Sequence, residues 1–535
     1  MAEAPVQPAG TPTPPPAAPA SPDLLQKIVD AGRLTKLPKD QTAEAKKAAD
    51  DAAMQAAGQL YDAYTSKLPS KEEVAQKHSV IQVLEQQIRD LDDNLSAEVS
   101  KILHDPDFQA LEASWRGLRY LVFNTETGSG LKLRLLNVKR DTLEKDLNNA
   151  VDKDQSALFK KIYEEEYGTY GGKPFSLLIG DLFFKRNPSD FELLNKLASV
   201  ASAAHTPLIA AASPELFGMD SFVDLGNPRD MTKIFETTDL IDWRAFRDSE
   251  DARYITLTLP RFLLRRPYGE KQTKSENFAM EEIVDDVDDV PVKRELDDKG
   301  KEIPQPLKDK NYGKFLWGNS AYALGVRITN AFALYKWCAA IRGPAGGGMV
   351  SSLPAYTYYT PRGDQVLLCP TEVAITDRRE KELNDLGFIA LVHRKGEGDA
   401  AFFGGQTTHK PKKYDRDDAN ANAALSARLP YLLAASRFAH YLKVICRDTI
   451  GTFQTQETMS LFLNRWIMQY VLATDDAGQE MKAKFPLREA RIDVVADASN
   501  PGAFSAICYL RPHFQLEELT TSIRLVAKLP APAAA

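Results

Sequence analysis

Ile81, Leu84, Ile88, Leu91 and Leu95 recur at alternating steps of three and four, and Val99 and Ile102 continue the stripe after one extra residue. Glu85, Gln87, Arg89, Asp92 and Asp93 occupy the other faces. Such spacing predicts a long helix with one narrow apolar seam. The seam packs either on the protein's own core or against another chain, and the pattern leaves both open.

From residue 131 the period changes. Leu131 to Val138 alternates apolar and basic residues as a half-buried strand does, and Phe175 to Ile179 is a continuous apolar run ending at Gly180-Asp181. A helical stretch opened by Ser189-Asp190 runs to about Ala204, and Pro207 to Ala211 reads as a second buried strand, which together suggest a βαβ unit. A second α/β stretch follows as strand Glu372 to Ile375, helix Asp377 to Leu386 and strand Phe388 to Val392. Further helices are expected at about 320–341, 421–447 and 455–474, the second with Phe438, Tyr441, Leu442 and Ile445 on one face. Strands are expected at Arg491 to Ala496, Phe504 to Leu510 and Ser522 to Leu529, with Asn500-Pro501-Gly502 as a turn between the first two. Strands at the end of a chain leave edges that another chain can pair with.

Composition sets limits on this α/β reading. Residues 4–22 are almost all Pro, Ala, Thr and Ser, which predicts an extended or disordered tail, and residues 23–68 have the make-up of a loosely amphipathic helix. Residues 270–310 carry Glu281, Glu282, Asp285, Asp286, Asp288 and Asp289 with little apolar content and read as a solvent-exposed insertion. The 535 residues hold 67 basic and 74 acidic side chains, a net charge of -7, so nucleic-acid binding would need a local basic patch. Arg261 to Arg266 is interrupted by Phe262, Leu263 and Leu264, and Lys410 to Lys413 runs into Asp415 and Asp417. Both read as zwitterionic surface.

Candidate chemistry is sparse. Cys338, Cys369, Cys446 and Cys508 match no zinc or disulfide spacing and read as reduced core thiols. No basic-then-apolar leader follows Met1, and the weakly charged stretch Leu197 to Pro214 contains His205 and Pro207, so neither a secretory signal nor a bilayer span is expected. The segment Gly343 to Gly348 lacks the Lys-Ser or Lys-Thr of a P-loop and reads as a helix stop after Ile341 followed by a flexible turn. Seven scattered histidines form no local metal motif. Asp181, after an apolar strand, is the one carboxylate placed where α/β enzymes put functional groups, and a helix or turn cap is its alternative role.

Long strings resemble the large subunit of the bacterial type VI secretion contractile sheath, the TssC/VipB family. They are LEASWRGLRYL from Leu111, YGGKPFSLLIGD from Tyr170, LPRFLLRRPYG from Leu259 and FLWGNSAYA from Phe315. DRREKELNDLGF from Asp377, KPKKYD from Lys410, SARLPYLLAASRFAHYLK from Ser426 and LRPHFQLEEL from Leu510 continue it in order. The resemblance implies a multi-domain α/β sheath subunit with mixed sheets, long helices and C-terminal assembly strands, and neither catalysis nor a cofactor. Its expected organisation is a tail at 1–22, a helical region contacting a small TssB/VipA-like subunit at 23–130, sheath domains at 131–450, and a helix and strands for inter-protomer and tube contacts at 451–535. The resemblance further implies a cytoplasmic helical sheath around an Hcp tube, seated on a baseplate. A ClpV-type ATPase would act on the contracted form, mainly through the small subunit. No nucleic acid and no membrane insertion are implied. Candidate interface residues are Ile81, Leu84, Ile88, Leu91 and Leu95 on the seam, and Ile492, Val494, Ile523, Leu525 and Ala527 on the terminal strands. A sheath protein of a phage-like injection particle, built from a single kind of chain, is the alternative within the same class. An α/β enzyme using Asp181 is the alternative from another.

Overall fold

The computed structural model describes residues 80–269, 273–276, 278–284, 309–359, 364–452, 455–474, 476–496, 504–513 and 515. The Pro/Ala tail, residues 23–79, most of the acidic insertion and the expected strand at 522–529 lie outside them. The chain divides into a unit ending at Leu95 and a unit beginning at Ser96. Helix α1 (Val80–Leu103) carries the seam through the first unit and continues into the second.

The second unit is organised on one six-stranded mixed sheet. The strands are β1 (Leu178–Phe184), β2 (Leu208–Ala212), β3 (Ile255–Leu259), β6 (Met349–Val350), β9 (Phe388–His393) and β10 (Ala400–Phe402), in the order β1-β2-β3-β9-β10-β6. The first three pairings are parallel and the last two antiparallel. Parallel neighbours need a crossover, and helix α3 (Pro188–Ala203) supplies it between β1 and β2, forming the expected βαβ unit.

Alternate strand residues enter opposite cores, as a sheet covered on both faces requires. Leu208, Ala210, Leu257, Phe388 and Ala390 face a core shared with α3, α4 (Ile241–Asp248) and α6 (Asp377–Asp385). There Trp243 stacks on Phe388 with ring centroids 5.6 Å apart. Ile209, Ile389 and Leu391 face the other core, against α5 (Ser320–Tyr335) and the start of α8 (Leu429–Asp448). Helix α2 (Pro106–Phe123), capped by the Asp105 carboxylate on Asp107 and Phe108 N–H, lies outside α5. Its close approach depends on glycine, since a Cβ on Gly117 would stand 2.5 Å from the Tyr322 ring of α5; α5 in turn approaches β1 at Gly325, where a Cβ would stand 2.6 Å from Ile179 Cδ1.

Two ribbons, β4 (Phe262–Leu263) with β5 (Trp317–Gly318) and β7 (Thr357–Tyr359) with β8 (Gln365–Leu367), enclose a small aromatic core of Phe315, Trp317 and Tyr356. Helix α7 (Asp417–Ser426) precedes α8. At the C-terminal end, α9 (Gln456–Ile467) packs on an antiparallel hairpin, β11 (Leu487–Ala496) with β12 (Phe504–Pro512), around Trp337, Phe438, Leu463 and Ile492.

Several expectations are corrected. Leu131 to Val138 forms no strand: Leu131 and Leu133 are half-buried, while Leu135, Leu136 and Val138 are exposed. Glu372 to Ile375 forms no strand; the single bridge here lies just before it, between Thr371 and Phe262. The helix expected at 421–447 is two, because Arg428 takes extended backbone and Pro430 starts α8 afresh. The helix expected to reach Ile341 ends at Tyr335, where Lys336 turns left-handed. The glycine segment after it is stitched down, with Gly343 N–H donating to Phe402 O at 2.7 Å and Phe402 N–H donating to Gly348 O at 3.0 Å.

The substitution Gly117→Val trades a helix-propensity gain of well under about 1 kcal/mol for a clash with a buried ring that costs about 1–3 kcal/mol. A lower urea midpoint is expected, partly recovered by Tyr322→Ala in the same chain. An unchanged midpoint would show that α2 does not depend on this close approach.

Candidate assembly surfaces

In α1 the usual relation between polarity and burial is inverted. Ser96, Ser100 and His104 fall at steps of four and share one face. That face is the buried one, with Ser96 and Ser100 at 3% and 0% exposure. Residues 280–284 lie along it: Glu281 N–H donates to Ser96 Oγ at 3.1 Å and Ile283 N–H donates to Ser100 Oγ at 3.2 Å. The hydroxyls satisfy a strap of backbone that would otherwise be buried without acceptors. The apolar stripe takes the open face, with Ile88, Leu91 and Leu95 exposed by 58%, 40% and 49%, and Ile102 also exposed. Ile81 and Leu84 lie on α1, but their side chains are outside the described residues.

Helix α2 carries a second stripe, which the sequence analysis missed. Phe108, Leu111, Trp115, Leu118 and Val122 follow steps of three and four, a seam visible within LEASWRGLRYL once the helix is known. Trp115 is 61% exposed, and Phe108, Leu111 and Val122 are exposed as well. Contiguous exposed apolar surface of this kind marks an interaction site more often than ordinary surface.

A buried ion cluster holds these helices in place. Arg265 donates through Nη1 to Glu282 Oε2 at 2.6 Å and through Nε to Glu112 Oε1 of α2 at 2.8 Å. Glu282 also accepts from Tyr268 N–H at 2.9 Å and lies 3.2 Å from His104 Nε2 of α1. Arg116 of α2 bonds Glu112 and donates to Tyr268 Oη. Burial pushes the Glu282 carboxyl up, but the bond with His104 and the charge and hydrogen bonds of Arg265 outweigh it and hold it below the ordinary range. Glu282 is thus no part of a solvated loop, and Arg265 is no surface charge. Nearby, Arg261 grips the buried Glu372 through both oxygens, at 2.9 and 2.7 Å.

The terminal hairpin presents one face inward and one outward. Ile492 and Val494 lie in the core against α9, paired with Cys508 and Ala506, which corrects their assignment to a partner surface. Val495, Ile507 and Tyr509 are the exposed apolar residues on the outer face. The β11 edge is closed by amides of α9: Asn464 accepts from Ile492 N–H and donates to Ile492 O, and Gln456 donates to Val494 O. Backbone groups alternate in direction along a ladder, so Ala506, Cys508 and Leu510 turn theirs to the far side of β12. Among the described residues no strand covers that edge. Ile523, Leu525 and Ala527 lie outside the described residues.

Other candidate groups have structural partners. Asp181 is exposed in mid-strand beside Tyr322, whose hydroxyl is pushed up by burial and by that carboxylate. It also accepts from Asn319 Nδ2 at 3.4 Å, and Asn319 caps α5. His205 lies 2.9 Å from Tyr254 Oη, His409 2.8 Å from Ser249 O and His440 2.8 Å from Ala204 O. The four cysteines are free, and burial pushes the Cys338 and Cys508 thiols up to about 11, leaving both protonated at neutral pH. An open hollow of about 390 Å³ is lined by Glu250, Arg253, His409 and Lys412, and the one carboxylate there is already paired with Arg253 and Lys412. Among the described residues no His, Cys, Asp and Glu group is placed to hold a metal ion, and no helix is long and apolar enough to cross a membrane.

Residues 85–409 match the family described as EvpB/VC_A0108, tail sheath N-terminal domain, and residues 418–529 match its tail sheath gpW/gp25-like domain. Over 457 residues the chain is 48% identical to the type VI secretion system sheath protein TssC1 of Pseudomonas aeruginosa, spanning 85% of this chain and 87% of that one. Among solved structures, the anti-feeding prophage baseplate gives a TM-score of 0.33 at 10% identity, over 63% of this chain and 66% of that one. The contracted PVC sheath complex of an extracellular contractile injection system gives 0.30 at 8% identity, over 62% and 68%. At these scores neither likeness carries structural weight.

Replacing Glu282 with Gln leaves Arg265 under-compensated and is expected to cost about 3 kcal/mol at pH 7. The folded carboxyl titrates below its ordinary 4.5, so its contribution is present above that value and is lost as pH falls through the folded pKa. Urea midpoints of wild type and Glu282→Gln should therefore differ at pH 7 and converge as the pH is lowered below 4.5. A gap independent of pH would contradict the ionised pair.

Proposed function

The chain belongs to the large-subunit family of the type VI secretion contractile sheath, a structural family rather than an enzyme family, and on that premise we propose that it pairs with a small TssB/VipA-like subunit. Copies of the pair would stack in the cytoplasm as a helical sheath around an Hcp tube and contract against a baseplate to eject it. A ClpV-type ATPase would then take the contracted form apart, mainly through the small subunit.

The observation that carries the pairing is the inverted polarity of α1, where hydroxyls are buried and the apolar stripe is exposed. Leaving Ile88, Leu91, Leu95 and Ile102 half-exposed forfeits about half of the 1.5–3 kcal/mol that full burial of such a side chain contributes. A partner helix on Ile88, Leu91 and Leu95 would recover that term, and the α2 stripe offers a further such surface of its own. Ile81 and Leu84 extend the same seam in sequence. The open β12 edge supports a second role: backbone pairing with a neighbouring protomer, to which Ile523, Leu525 and Ala527 would add a further strand. Strand pairing is directional along one axis and lets whole bodies rotate while remaining tethered. The outer face of α9 exposes Leu461 and Phe462 and is the proposed tube-facing layer.

Leu91→Asp and Trp115→Asp, each on an exposed position, should leave the thermal midpoint of the isolated chain unchanged while abolishing co-purification with the small subunit. Undiminished co-purification of both variants would remove the seam from the interface. Deletion of residues 520–535 should retain the heterodimer and prevent tubes from forming; normal tubes would refute the terminal-strand tether.

A further inference from the structure

Gln515 follows the hairpin and is held from three directions. Its N–H donates to Tyr431 Oη of α8 at 3.0 Å, its side-chain amide donates to Ala339 O at 2.7 Å, and its side-chain oxygen lies 3.4 Å from Arg342 Nη1. Tyr431 is buried, and burial pushes its hydroxyl up, so at neutral pH it remains a protonated, neutral acceptor for that N–H. Two residues earlier, His513 N–H donates to Pro486 O at 3.2 Å, which returns the strand end to the start of β11.

These contacts continue into the main sheet. Arg342 Nε donates to Phe403 O at 2.9 Å, and the adjoining Gly343 N–H donates to Phe402 O on β10 at 2.7 Å. A pull on the chain beyond residue 515 is therefore opposed by hydrogen bonds running through Arg342 to β10, and by α8 through Tyr431. The hairpin meets α9 in its own core, so without this link tension on the terminal segment would fall on that smaller core alone.

We propose that Gln515 is the positioning residue that roots the C-terminal tether in the six-stranded sheet, fixing where the chain leaves the body and passing inter-protomer tension to β10. The proposal rests on the tether reading above and names the residue by which that tether acts. An amide is suited to the position because it donates to a carbonyl and accepts from a guanidinium at once. Alanine does neither. Glutamate keeps and strengthens the acceptor toward Arg342 but gives up the donor, setting a carboxylate oxygen against Ala339 O.

The test uses the full chain co-expressed with the small subunit. For Gln515→Ala, heterodimer yield should match wild type. Exchange of the residue 515 amide should accelerate by about tenfold per bond lost, while exchange within β11 and β12 stays unchanged. Tubes in electron micrographs should be several-fold shorter or fragmented after contraction. Gln515→Glu, which retains the bond to Arg342 and loses the one to Ala339 O, should fall between Gln515→Ala and the unaltered chain in both readouts. Tubes of wild-type length that contract intact would overturn the proposal, as would unchanged exchange at residue 515. If Gln515→Ala gives no heterodimer, Tyr431→Phe, which removes one hydroxyl and keeps the ring, takes its place with the same two readouts. Absence of tubes from the unaltered chain would overturn the sheath reading and this proposal together; normal wild-type tubes with unaffected variants overturn this proposal alone.

Discussion

Burying a guanidinium is costly unless its charge is compensated, and Arg265 obtains that compensation from carboxylates in two distant parts of the chain. Glu112 brings α2, and Glu282 brings the strap that lies on Ser96, Ser100 and His104. Segments distant in sequence are thereby held in one arrangement. The consequence extends to the surface. With polar side chains of α1 and α2 committed inward to ions and hydroxyls, apolar side chains of both helices are left exposed.

Period-two and period-3.6 patterns made much of the central fold legible: α3, β2, α6 and β9 lie where the alternation and apolar runs predict them, whereas β1 starts only at Leu178, near the end of the expected Phe175–Ile179 run, and continues through Asp181 to Phe184. Residues whose partners are distant in sequence were not legible. Leu131 to Val138 has a strand's alternation without a neighbouring strand to complete a ladder. Ile492 and Val494 alternate as half-buried strand residues do, but nothing local says which face α9 covers. Arg265 and Glu282 look like surface charge until Glu112, 153 residues away from Arg265, is seen beside them. The α2 seam was overlooked because Glu112 and Arg116 interrupt it on the linear sequence, and its spacing emerges only on the helix.

The two ends of the second unit divide the labour of a lattice subunit. The sheet, covered on both faces, supplies a rigid body built from aromatic and aliphatic packing. The helical end exposes apolar side chains, among them Leu111 and Trp115. The terminal hairpin offers backbone pairing, which tolerates reorientation. Asn464 and Gln456 close the β11 edge, and among the described residues no strand covers the edge of β12.

The most direct measurement is an electron cryo-microscopy map, at side-chain resolution, of the assembly this chain forms with its small subunit. Helical density of the small subunit against Leu91, Leu95 and Trp115 is the expected result. A map of the assembled sheath in which those side chains face solvent, with the small subunit docked elsewhere, would contradict the account.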